Sequence, residues 1–225
     1  MLFENTEVFN FDGALRGMRN PKESWNKSDS EWETHINYNK DEVYTKFSIG
    51  KNDLKLAQTL IRAGSEHRKF MRQIFVSVDI TAPLYWWKEF DTYKVATVSN
   101  SCSTMHKLAD TPITLDCFEM DDFTPLIDNF KIDLSWQTVV TYLEQLRQKY
   151  NETKDKRYWK ELIRLLPESW LQKRTVTMNY ENLLGICSKG QRRFHKLTEW
   201  SVNFIQWARN LPYAQDLLFI DELSK

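Results

Sequence analysis

The sequence predicts an α+β protein, and three observations carry that expectation. Residues 74–80 are mostly β-branched or apolar, interrupted by Ser77 and Asp79, as in a largely buried strand. Residues 53–63, 136–150 and 198–210 carry apolar side chains at helical spacing. Strand-like and helix-like segments follow one another along 225 residues without a repeat, a low-complexity stretch or a linker, which predicts a single domain over residues 1–225.

Phe3, Val8, Phe9 and Phe11 place a first strand near the start of the chain. Residues 14–19 then predict a short helix that Pro21 stops. Residues 24–39 are mostly polar, with Trp25 and Trp32 as isolated anchors, and are expected to form a long loop with solvated charges. Residues 53–63 form an amphipathic helix through Leu54, Leu56, Ala57, Leu60 and Ile61, closed by Gly64 in the left-handed cap position. The titratable run 65–72 follows, with His67 expected at the surface.

Residues 73–105 are the stretch around which the rest is organised. Ala82-Pro83 is expected to break the strand, with Pro83 as the first helical residue. Leu84, Trp87, Lys88, Asp91 and Lys94 continue at helical spacing, and residues 97–104 form a polar tail rich in hydroxyls. A strand, a Pro-started helix and a small-polar loop can wall and floor an anion site. The plainer alternative is a buried strand followed by an aromatic core helix.

Residues 110–131 read as an acidic surface connection, including Asp116, Glu119, Asp121 and Asp122. Ser135 is placed to cap the helix over 136–150, whose apolar stripe is Val139, Val140, Leu143 and Leu146. A charged turn precedes a helix bearing Trp159, Leu162, Ile163 and Leu166, which ends at Pro167. Residues 169–173 are expected to be a turn or short helix, 174–178 a strand or a lead into the helix over 179–188, and 198–210 the last long helix.

Lys+Arg and Asp+Glu both number 31, so the chain lacks the basic excess of a general nucleic-acid binder. Aromatics make up 14% with nine Trp, enough to line a ligand site or a subunit interface as well as a core. Cys102, Cys117 and Cys187 have neither zinc nor disulfide-framework spacing, so reduced thiols in a cytoplasmic protein and no metal site are expected. No stretch has the apolar length of a membrane span, and the first residues lack the pattern of a signal peptide, so no membrane partner is expected.

There is no Gly-rich dinucleotide motif, Walker A loop, Gly-x-Ser-x-Gly elbow or metalloprotease His/Glu pair. Cys102 and His106 lie four apart, but no third group is placed to orient them as a nucleophilic pair.

Other landmarks recur in a set order across residues 12–205. These are Ala14-Leu15-Arg16, Gly64 with Glu66, Ala82-Pro83, the polar span 92–105, Leu166-Pro167, Asn179 and His195. This order resembles the flavin-dependent thymidylate synthases, the ThyX family. That family's signature, Arg-His-Arg-x-x-Ser-x-Asn-Glu-x-Ser-x-Arg-Tyr, falls on residues 92–105 without a gap. Here the first three positions are Thr92, Tyr93 and Lys94, and Thr97 keeps a hydroxyl. Ser99-Asn100 stand for Asn-Glu, Cys102 for the later Ser, and Thr104-Met105 for Arg-Tyr. All three signature arginines are gone, and Lys94, the one cation in their place, lacks their bidentate fork. Arg164 and Arg192 each lie one position from the family's downstream arginines.

The resemblance implies a ThyX-like fold, a central antiparallel sheet flanked by long helices, and FAD as cofactor. By that likeness Tyr93, Lys94, Val95, Ser99, Asn100, Asn179 and His195 would face FAD. Glu89, Ser101, Cys102, Ser103, Arg164 and Arg192 would face the nucleotide, with Trp87 and Tyr93 adding stacking surface. It further implies methylation of dUMP to dTMP with methylenetetrahydrofolate and NADPH, no protein nucleophile, and a homotetramer with flavin at its interfaces. The altered signature opens a second reading, a relative that keeps the fold and has lost or changed the synthase chemistry.

Overall fold

A computed structural model describes residues 1–37, 42–93, 96–120 and 136–223. The strands are β1 (Leu2–Phe9), β2 (Glu31–Asn37), β3 (Glu42–Ser48), β4 (Phe75–Pro83), β5 (Val98–Ser101) and β6 (Leu171–Asn179). The helices are α1 (Phe11–Arg19), α2 (Lys51–Arg62), α3 (Leu84–Phe90), α4 (Thr104–Lys107), α5 (Trp136–Thr153), α6 (Lys156–Leu165), α7 (Tyr180–Ile186), α8 (Lys189–Phe194), α9 (Ile205–Arg209) and α10 (Ala214–Leu217). A four-stranded antiparallel sheet has the order β1-β4-β6-β5, and β2 pairs with β3 in a separate ribbon. The α+β class read from the sequence is the class observed.

The chain divides into two compact units. The first comprises Met1–Glu4, Asp79–Thr92 and Ser99–Thr175, the second Asn5–Val78, Tyr93–Val98 and Val176–Lys225. Strands β1, β4, β5 and β6 contribute residues to both.

β4 shows why the central stretch is a strand. Val76, Val78, Ile80 and Ala82 are fully buried, while Phe75, Ser77, Asp79 and Thr81 between them are more open. This alternation is the two-residue period of a sheet with one sealed face, not the burial on both faces that the apolar run suggested. Nor does Ala82-Pro83 break the strand. β4 runs through Pro83, which caps α3 from an extended conformation instead of opening it. α3 ends at Phe90, four residues short of Lys94, because the backbone turns after Asp91.

In the first unit, α5 and α6 seal a core of Leu108, Ile113, Phe118, Val140, Leu143, Leu146 and Leu162. The stripe on α5 falls at i, i+3, i+6, as its sequence spacing required. Trp86, Trp87 and Phe90 of α3 are buried and pack edge-on or stacked at 4.9–5.4 Å. The aromatic core helix weighed as the plainer alternative is therefore present. Residues 171–173, expected in a turn, open β6, and residues 174–178 continue it. Of the acidic connection, residues 110–120 carry a short 3-10 turn (Leu115–Cys117) and a single β-bridge from Phe118 to Trp170. Asp121, Asp122 and the capping position Ser135 lie outside the described residues.

In the second unit, residues 31–37 correct the long-loop expectation. They form β2, in register with β3 through Trp32↔Phe47, Thr34↔Thr45 and Ile36↔Val43. The alternation of Trp32, Thr34 and Ile36 with Glu31, Glu33 and His35 carries the strand signal, hidden by the polar average of the segment. Phe11, expected at the end of the first strand, starts α1 instead. Gly64 takes φ +109° one residue past Ala63, the C-cap of α2, the conformation its cap role demands.

The buried face of α2 holds an acid as well as apolar residues: Asp53, Ala57 and Ile61. Asp53 has no exposed surface and Arg19 almost none. Arg19 Nε donates to Asp53 Oδ1 at 2.5 Å, while its Nη atoms donate to the carbonyls of Ser24 and Lys27. Asp53 Oδ2 accepts from both Ser28 Oγ and Ser30 Oγ at 2.6 Å. The network fastens residues 24–30 to α1 and α2.

Candidate functional site

β6 ends at Asn179, and Asn179 starts α7. Its side chain accepts from Asn182 N at 3.0 Å, and Asn182 Oδ1 accepts from Asn179 N, a reciprocal capping box. The residue is buried, so its position is fixed by the strand, the helix and the cap together.

In the same unit, α8 ends at Phe194 and His195 follows in an extended conformation. A π-helical turn, Glu199–Phe204, leads into α9. Turns of this kind hold an extra residue per turn and are frequent at functional sites. Here the turn carries Trp200, on which His195 stacks at 4.5 Å with rings 15° apart. Tyr93 OH and His195 Nε2 share a hydrogen bond of 2.8 Å, and the Tyr93 ring meets Trp200 at 5.9 Å. Thr97 Oγ1 donates to the Tyr93 carbonyl, so the first signature hydroxyl braces the residue that makes the contact. Two flavin candidates, Tyr93 and His195, are thus brought together from 102 residues apart. Lys94 and Val95 lie outside the described residues.

Arg192 serves a different set of partners. Its guanidinium donates to the Cys187 carbonyl and pairs with Asp221 at 3.3 Å and Glu222 at 2.9 Å. The cation is therefore neutralised within the C-terminal segment. A cavity of about 600 Å³ in this unit is lined by Met18, Leu56, Leu60 and Phe70, with Lys22, Glu66, His67 and Lys69 among its polar groups. His67 is exposed there, as expected.

The first unit holds the remaining candidates. Ser99, Asn100 and Ser101 lie on β5, an exposed strand at the sheet edge. Cys102 N donates to the Lys173 carbonyl at 2.9 Å, and the Cys102 carbonyl accepts from Gln172 Nε2 at 3.0 Å. The backbone of Cys102 is fixed against β6 while its thiol faces outward. Ser103 accepts the Lys107 N–H at the start of α4. Glu89 is exposed on α3, and its carbonyl accepts from Thr92 Oγ1 and Thr92 N. Arg164 is exposed on α6 and pairs with Glu161 at 3.2 Å. Trp87, offered as stacking surface, is 1% exposed. Its indole N–H donates to the Gln172 carbonyl and its ring is covered by Arg174 at 4.3 Å. Arg174 is held in turn by Asp91 and Gln172.

No family model matches the chain, and no curated protein matches it. Solved structures do. One is the flavin-dependent thymidylate synthase ThyX from Helicobacter pylori complexed with FAD and dUMP, at a TM-score of 0.63 and 18% identity over the whole of both chains. Another structure of Thymidylate Synthase X (ThyX) from Helicobacter pylori, with FAD and dUMP, matches at a TM-score of 0.62 and 18% identity over 98% of each chain. The chain has the ThyX fold. Its arrangement of sheet and helices survives at an identity where site residues are free to differ.

Two features of this ThyX fold were not found from the sequence. Trp200 is one of nine tryptophans, and nothing in its neighbours marks it as the platform under His195. The π-helical turn has no compositional mark, since it arises where packing favours one extra residue. Among the described residues no group of three or more His, Cys, Asp or Glu side chains could hold a metal ion, and no helix is long and apolar enough to cross a membrane.

Proposed function

We propose that this protein binds FAD and a uridine nucleotide and acts as a flavin-dependent thymidylate synthase. The observation that carries the reading is the Tyr93–His195 hydrogen bond on the Trp200 platform. It joins two positions that the signature resemblance puts against flavin, within a fold shared with structures that hold FAD and dUMP.

The residues present fit a flat ring system. Tyr93, His195 and Trp200 offer ring faces and edges, and the imidazole can donate or accept according to its tautomer. Asn179, fixed by its cap in the same unit, would add a polar contact. Bound FAD, reduced by NADPH, would supply the hydride that turns a methylene carbon from methylenetetrahydrofolate into the methyl group of dTMP. The chain's own part is to orient: Tyr93 and His195 hold one another in register, and Ser101, Cys102 and Ser103 would meet the nucleotide. A cytoplasmic homotetramer belongs to the same proposal. So does a single domain over residues 1–225, supported by the four strands that contribute to both units.

The test is flavin uptake followed by rescue. Purified protein should be yellow or should take up added FAD, and the gene should restore growth of a thymidine-requiring bacterium without thymidine. Tyr93→Phe keeps the ring and loses the hydroxyl, so it should weaken FAD binding by about 1 kcal/mol, roughly fivefold. Colourless protein that takes up no FAD sinks the proposal.

A second reading, a ThyX-fold binding protein with lost or changed chemistry, is favoured by one observation. Arg192 and Arg164 are both paired with carboxylates of their own unit. Flavin uptake without rescue supports this second reading.

A further inference from the structure

We propose that a cavity of about 410 Å³ in the second unit, between the start of α1 and the β2–β3 ribbon, binds a planar aromatic anion. Its walls are aromatic. Trp32 is 60% exposed and Phe9 42%, and both line this concave space. Large rings open to water at a concavity are apolar area that a flat ligand can cover.

The walls are set before any ligand arrives. Phe47 faces Trp32 across the ribbon and packs edge-on against it at 5.3 Å. The Tyr213 hydroxyl accepts the Ile49 N–H at 2.8 Å, and its ring meets Phe11 at 5.5 Å. A pre-formed wall loses little entropy on binding, so stacking is converted into affinity.

The charge at the cavity selects the ligand. Arg16 and Lys46 line it against a single acid, Asp12. The Arg16–Asp12 pair is long, 3.8 Å, with side chains 67% and 48% exposed, so it holds the guanidinium weakly. Arg16 is therefore available to an anion, and its planar group suits a phosphate or a carboxylate. A stacking platform beside available cations is the chemistry that captures a charged heterocycle.

None of the lining residues is a flavin or nucleotide candidate, so the cavity is not the site built on Tyr93 and His195; a pterin bound here would rest on the synthase reading, a phosphorylated nucleoside would not. A phosphorylated nucleoside and a carboxylated pterin share this chemistry. Calorimetric titration of the full chain with AMP, with folic acid and with neutral adenosine separates them. At least one anion should bind with a dissociation constant below about 1 mM. Trp32→Ala should weaken that binding about tenfold and Arg16→Ala about fivefold. Trp32→Phe, which keeps a ring, should stay within about threefold of the parent and guards against a folding artefact. AMP alone identifies a nucleotide site, folic acid alone a pterin site, and both support the class. The proposal is overturned if neither anion gives heat, if Trp32→Ala binds as the parent does, or if adenosine binds as tightly as AMP.

Discussion

Asp53 is a carboxylate sealed from water, and burial alone would raise its pKa. Hydrogen bonds from Ser28, Ser30 and Arg19, with the Arg19 charge, outweigh that and hold it below the usual range. Asp53→Asn leaves Arg19 buried without a counter-charge, and loss of one partner from such a pair typically costs about 3–5 kcal/mol. Urea unfolding should show that loss, while the exposed Arg164→Ala should change stability by less than about 0.5 kcal/mol. Glu144 makes a pH-dependent case. Hydrogen bonds from Arg147 lead, against desolvation, in lowering its pKa from 4.5 to about 2. A folded-state pKa below the unfolded one means the stabilisation is complete above about pH 4.5 and fades as pH falls toward 2. At neutral pH it is on the order of 3 kcal/mol. The urea midpoint of Glu144→Gln should accordingly differ from the parent at pH 7 and converge with it near pH 2. Neither acid could be recognised from the sequence. Asp53 sits in a helix whose neighbours look solvated, and its partners Arg19, Ser28 and Ser30 are 23–34 residues away.

Legibility rises at the scale of elements, because period and punctuation are local. The stripe on α5, the Gly64 cap and the apolar run of β4 all announced themselves. The β2–β3 ribbon did not: three charged or polar residues between Trp32 and Ile36 outweighed their alternation. β6 was half-read for a similar reason, since Gln172, Lys173 and Arg174 are polar residues within a strand. Asn179 lets element and site be separated experimentally. As a cap, Asn179→Ala should cost about 1 kcal/mol, whereas Asn179→Ser should keep most of that stability. If both variants lose FAD binding equally while only the alanine variant loses stability, Asn179 has a ligand role beyond the cap. If FAD binding follows stability in both, the cap is its whole contribution.

For the whole molecule, ordered landmarks conveyed the fold even where the signature was rewritten. A fold tolerates substitution wherever burial pattern and turn chemistry persist. The candidate site was legible only in part, because side-chain partners are chosen in three dimensions. Tyr93 and His195 meet, while Arg192 turns to Asp221 and Glu222. Sedimentation tests the proposed assembly: the protein should run at four times its chain mass, and a monomer removes the interface placement of the flavin candidates.

The π-helical turn at Glu199–Phe204 means that the aim of the Trp200 platform depends on the number of residues in this segment as well as their identity. Removing one residue would let the turn relax to an ordinary α-helix, and each residue in such a helix accounts for about 100° of rotation. His195 and Trp200 would then swing around the helix axis relative to α9 with no side chain substituted. A chain with this fold could change what its ring cluster faces by a single-codon insertion or deletion, a route that comparison of residue identities alone would miss.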